Sequence, residues 1–162
     1  LVHQLILTIA LTLFNSPSNT QVGRKAAAFS LPAMNEEVVA LQSFRGKVVL
    51  LNFWATWCGP CRDELPELAR VQEKYRQRGL AVIAVTVDND LENVRGFLKK
   101  YEVKLQALWD RRKKVAEAYV VEKMPCSYII DRNGIIRFIH RGYSAEELKR
   151  IENEIDELLD KP

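Results

Sequence analysis

The feature that most constrains this chain is the junction at residues 47–61, where the run KVVLLNFW passes directly into ATWCGPC. The run has the length of a strand and is nearly continuously apolar, the pattern of a strand buried on both faces. Beyond the two cysteines, Leu65, Leu68, Ala69, Val71, Gln72 and Tyr75 recur at helical spacing until Gly79, a candidate C-cap. The pair Cys58 and Cys61 therefore stands where a buried strand gives way to a helix. A thiolate at Cys58 would face unpaired backbone N–H groups and the positive end of the helix dipole, which favours its ionisation. Cys61 lies one turn further in, near enough to bridge and less accessible, so the pair offers one attacking and one resolving sulfur. Pro60 stiffens the first turn, and Gly59 leaves room for another backbone to approach.

A Cys-x-x-Cys can also be a metal knuckle. A structural zinc site needs about four ligands, and the other candidates here, Cys126, His3 and His140, have no partner at ligand spacing. A redox couple is the stronger reading, with no metal and no cofactor expected. Three cysteines in 162 residues are too few for a disulfide framework, and a chain of this length can bury a core without staples. The net charge of +3, from 24 basic and 21 acidic residues, gives no case for nucleic-acid binding.

The rest of the sequence reads as a mixed α/β domain. LAVIAVTV at 80–87 is a second buried strand, and Asp88-Asn89-Asp90 starts a helix with Val94, Phe97, Leu98 and Tyr101 on its apolar face. A short strand at Ala107–Trp109 and a helix around Val115–Tyr119 follow. Ser127–Ile130 and Ile135–Ile139 flank Asp131-Arg132-Asn133-Gly134, a hairpin signal. A final helix begins at Ser144, with Glu147 completing a capping box. From Lys47 the order is βαβαβαββα, parallel strands through helical crossovers and then an antiparallel hairpin, with Val38–Leu41 a further short strand ahead of it.

The first 23 residues carry no Lys, Arg, Asp or Glu, and Leu5–Phe14 reads LILTIALTLF. This suits the apolar stretch of a signal peptide or of an N-terminal membrane anchor; a buried N-terminal helix is the alternative. Residues 1–20 are thus predicted to be signal or anchor plus a polar linker, and residues 21–162 the globular domain. The chain opens on Leu1 and no basic residue precedes the apolar run, so a start further upstream is expected.

Asn52-Phe53-Trp54-Ala55-Thr56-Trp57-Cys58-Gly59-Pro60-Cys61 resembles the active-site segment of the thioredoxin superfamily. Pro66 recurs where that family's active-site helix kinks. Met124-Pro125 resembles the dipeptide whose cis-proline faces the reactive cysteine, and Gly142 falls where the family has a groove-lining glycine. CRDELP at 61–66 and YIIDRNG at 128–134 are most similar to the TlpA/ResA branch of exported, often membrane-tethered members. The resemblance implies a thioredoxin-like fold, a central mixed β-sheet flanked by helices, and an extracytoplasmic thiol–disulfide oxidoreductase. It implies protein disulfides as substrates, apocytochrome c among the candidates, and an upstream dithiol as electron donor. Trp57, Gly59, Pro60, Met124, Pro125 and Gly142 would line the substrate surface.

Two positions depart from thioredoxin itself. Its buried Asp, six residues before the first cysteine, is replaced by Asn52, which cannot titrate. Glu64, on the helical face of Cys61, matches an acidic residue of the TlpA/ResA branch and is a candidate proton acceptor; an exposed first-turn glutamate is the alternative. Cys126 stands where the residue after the cis-proline is usually Thr. It reads either as a small buried hydrophobe or as a third redox or soft-metal thiol.

Dithiol–disulfide exchange is the leading function, with reduction of protein disulfides favoured over net oxidation by the Gly-Pro filling between the cysteines. A copper- or haem-handling module using Cys58, Cys61 and Cys126 is the alternative from another class. The absence of a Pro-x-x-x-Thr-x-x-Cys segment argues against a peroxidase.

Overall fold

The structure, a computed structural model, describes residues 21–161; the predicted signal or anchor with its linker at 1–20 lies outside the described residues. The elements run β1 (Ser30–Pro32), β2 (Val38–Ala40), β3 (Val48–Trp54), α1 (Gly59–Tyr75), β4 (Leu80–Thr86), α2 (Leu91–Lys100) and β5 (Gln106–Trp109). They continue with α3 (Lys114–Ala118), β6 (Cys126–Ile130), β7 (Ile136–Arg141) and α4 (Ala145–Leu159). Five strands form one sheet in the order β5-β4-β3-β6-β7, and β1 and β2 pair as a separate antiparallel hairpin. The arrangement is thioredoxin-like.

The apolar run of 47–54 forms the central strand because it has neighbours on both edges and cover on both faces. β3 pairs in parallel with β4 from Val48↔Leu80 to Trp54↔Thr86, and antiparallel with β6 from Val49↔Ile130 to Phe53↔Cys126. Its alternate side chains separate: Val49, Leu51 and Phe53 enter a core with Phe29, Tyr119 and Tyr128. Val48 and Leu50 face α1 and α4 through Leu68, Val71, Ile151 and Ile155. Every residue of β3 is buried, so the strand is fixed before its last residue hands the chain to the cysteine loop.

The local signals hold with small shifts of boundary. Gly79 takes φ +99 at the end of the helical turn that follows α1, and Ser144 Oγ accepts the Glu147 N–H, the N-cap half of the predicted capping box, while the Glu147 carboxylate turns to His140 and Arg150. The turn before β7 closes with the Gly134 N–H on the Asp131 carbonyl at 2.9 Å. β1 is the element the sequence did not reveal: three residues ending in Pro32 have no period to read.

Candidate functional site

Cys58 is the N-cap of α1. Its backbone is extended, with φ −90 and ψ 109, and its sulfur accepts the Cys61 N–H at 3.3 Å. The sulfur thus takes one of the four N–H groups that a helix start leaves unpaired, the position expected for a stabilised thiolate. Cys58 and Cys61 are joined in a disulfide with Cα atoms 5.3 Å apart. Cys61 is fully buried, whereas Cys58 retains slight exposure. Helix α1 continues through Pro66 to Tyr75.

The surroundings of the disulfide bring the remaining sequence candidates together. Trp57 is 66% exposed beside Cys58 and forms one wall of a groove whose apolar lining is Val87, Ala116, Val120, Val121 and Met124, with Lys113, Glu117, Glu122 and Lys123 also lining it. On the other side Pro60, Met124, Pro125, Gly142 and Tyr143 line a second hollow. The Met124–Pro125 bond is cis. Gly142, at φ +92, donates its N–H to the Pro125 carbonyl at 2.8 Å, so the two groove residues are tied to each other. A side chain at Gly59 would meet nothing within 4 Å, which leaves that side of the disulfide open.

Glu64 is 1% exposed, which excludes the exposed first-turn reading. Its carboxylate accepts from Asn52 Nδ2 at 2.8 Å, and the same amide donates to Ser127 Oγ at 3.0 Å. Burial pushes the Glu64 carboxyl up to about 7, against the opposing pull of the Asn52 hydrogen bond and with a further push from Glu147. A group with that proton affinity can take and return a proton near neutral pH.

Cys126 lies on the other face of the sheet, packed with Phe53, Tyr119 and Tyr128. It is 1% exposed, and burial pushes its thiol up to about 11, so little of it ionises at neutral pH. His140, the histidine considered for the metal reading, has both ring nitrogens on carboxylates, those of Glu147 and Glu154. Among the described residues, no three His, Cys, Asp or Glu side chains come together as a metal cluster.

Sequence reasoning missed Asp88, whose buried carboxylate holds the cysteine loop by accepting from the Thr56 N–H at 2.9 Å and the Thr56 hydroxyl at 2.5 Å. It also missed Ser127. Neither carries a local signal, because each acts on a residue far away in the chain.

Residues 22–139 match the AhpC/TSA family. The chain is 39% identical over 139 residues to the thioredoxin-like protein YneN of Bacillus subtilis, covering 84% of this chain and 79% of the relative. It is 33% identical over 165 residues to the thiol-disulfide oxidoreductase ResA of Oceanobacillus iheyensis, covering 95% and 85%. A Chlorobium tepidum structure assigned as the thiol:disulfide interchange protein DsbE superposes with a TM-score of 0.82 at 36% identity, covering 85% of this chain and 97% of that one.

Proposed function

The chain belongs to the AhpC/TSA family of thioredoxin-like proteins, and from that premise we propose that it is a thiol–disulfide oxidoreductase whose redox couple is Cys58–Cys61. The observation that carries this reading is the disulfide itself, at the start of α1 with its attacking sulfur on a backbone N–H and open ground at Gly59.

In the reduced protein the Cys58 thiolate attacks one sulfur of a substrate disulfide. That S–S bond breaks, the departing substrate sulfur takes a proton, and Cys58 is left in a mixed disulfide. Cys61 passes its proton to the Glu64 carboxylate and attacks the Cys58 sulfur. The second substrate sulfur leaves and is protonated in turn. The substrate gains two electrons and two protons, and the Cys58–Cys61 disulfide remains, to be reduced by an upstream dithiol donor. Trp57, Met124, Pro125 and Gly142 would seat the substrate backbone beside Cys58, with Gly59 and Pro60 below it.

Protein disulfides are the substrate class. The finer reading is a reductant acting outside the cytoplasm, released or tethered by residues 1–20, with apocytochrome c cysteines among its targets. The uncharged apolar run at Leu5–Phe14 and the TlpA/ResA-like segments support it. A Cys61→Ser variant tests the whole reading: it should accumulate mixed disulfides through Cys58, with apocytochrome chains among the trapped proteins. No trapped partner together with no insulin-reducing activity in the unaltered protein would overturn the redox assignment. Trapped partners without any cytochrome would overturn only the substrate.

A further inference from the structure

Among the described residues Glu64 reaches the interior of the fold through one side-chain donor, Asn52, and that donor is itself anchored. Asn52, Ser127 and His140 stand in one row across β3, β6 and β7 as registered neighbours, Asn52↔Ser127 and Ser127↔His140. All three are buried. The two hydrogens of the Asn52 amide are spent on Glu64 Oε2 and on Ser127 Oγ, and its Oδ1 has no partner among the described residues. Turning the amide over would set Oδ1 against the Glu64 carboxylate, acceptor against acceptor, unless Glu64 carried a proton to donate. The amide's orientation is therefore bound to the charge on Glu64.

We propose that Asn52, locked by Ser127, is a positioning residue for disulfide exchange: it fixes the Glu64 carboxylate on the Cys61 side of α1 and favours its proton-accepting form. The inference rests on the role given to Glu64 above. An Asp at this position, as in thioredoxin, could not act in the same way, because two carboxylates at hydrogen-bond distance cannot both ionise. The asparagine supplies the fixed donor and leaves the titration to Glu64.

The other titratable groups that bear on Glu64 are few. Glu147 of α4, paired with His140 and Arg150, raises its proton affinity. Tyr143 before α4 and Cys126 of β6 sense its charge. On α1 the neighbours are the dithiol, Asp63 and Glu67. Among the described residues Asn52 is the one hydrogen-bond donor to its carboxylate, so its removal should be legible in the pH dependence of Cys61.

The test follows the two thiol releases when the reduced protein meets an aromatic nitrobenzoate disulfide in a single turnover. The first release reports attack by Cys58 and the second reports resolution by Cys61. The second rate is read from about pH 5 to about pH 9, where a general base near neutrality shows its step. In Asn52→Ala the step should move up by about one pH unit, slowing the second release about tenfold below neutrality. Ser127→Ala should move it the same way by less, and Ser127→Thr, which keeps the hydroxyl, should restore it. In a Glu64→Gln background the step should be gone and Asn52→Ala should move nothing further.

If Glu64→Gln removes the step but neither Asn52→Ala nor Ser127→Ala shifts it, Asn52 is only structural and the inference falls. If Glu64→Gln leaves the step in place, the role of Glu64 falls first. Should Asn52→Ala fail to fold, the Ser127 pair still decides, because a shift rescued by threonine is not a stability effect.

Discussion

The carboxylate of Asp88 accepts hydrogen bonds from both the backbone N–H and the hydroxyl of Thr56, two residues before Cys58. It also accepts the Thr86 hydroxyl at 2.6 Å. A side chain just past the end of β4 thereby clamps the loop that carries Cys58, and Trp57 is left facing outward. Asp88→Ala would remove the acceptor of the half-buried Thr56 N–H and hydroxyl and of the buried Thr86 hydroxyl. The expected cost is about 3 kcal/mol, read as a lower urea midpoint at unchanged slope. Asp88→Asn, which keeps the shape, should lose less. Both variants should slow the first thiol release more than the second, because the clamp holds Cys58 and not Cys61.

Glu64 gives stability a definite pH dependence. Its folded proton affinity, about 7, lies above the ordinary 4.5, so the native state binds more protons than the unfolded chain between those values. Its contribution to stability is therefore highest at or below pH 4.5, and falls as pH rises through about 7. The full difference is about 3 kcal/mol. Glu64→Gln removes this titration, so the oxidised variant should match the unaltered protein in acid and exceed it by about that amount above neutrality. Denaturant unfolding at a series of pH values checks it. Parallel curves for the two proteins would contradict the buried titration.

Cys126 should stay silent in exchange. With its thiol pushed up to about 11 and packed among Phe53, Tyr119 and Tyr128, it should resist alkylation in the native protein and react only on unfolding. Cys126→Ser should leave turnover within about twofold while costing about 1–2 kcal/mol for a hydroxyl placed on an apolar face. Loss of the Cys126 thiol together with the Cys58–Cys61 pair on oxidation would restore it as a redox partner.

The parts of the site that were legible in the sequence are those written in consecutive residues. The buried run before the cysteines, Pro60 at the helix start, Met124-Pro125 and the Ser144–Glu147 cap are local patterns, and each forms where expected. Whether Glu64 faced inward was undecidable from spacing, because α1 also carries exposed residues in its first turns; packing of α4 beside α1 and the reach of Asn52 decide it. The site roles of Asp88 and Ser127 were hidden for a related reason. Thr56 and Asn52, on which they act, lie 32 and 75 residues away, and a polar pair at that separation leaves no period, cap or turn signature. β1 escaped because a three-residue strand is held by its partner β2 and not by its own pattern.

Val120 offers a last test, one that separates stability from recognition. It has φ +53 although it is β-branched, a conformation costing about 1–3 kcal/mol outside glycine. Its side chain is 43% exposed and lines the groove with Trp57, so it gains little by burial. Val120→Gly removes the strain and should raise stability by about 1 kcal/mol, the rest being offset by the freer unfolded chain. The same change lowers the apolar part of the groove wall that Val120 shares with Trp57. Protein substrates that seat an apolar side chain there should show a KM raised several-fold at nearly constant kcat, while a small disulfide that cannot reach the groove should be reduced as before. A stability gain with unchanged KM for protein substrates would show that the Val120 wall takes no part in seating them.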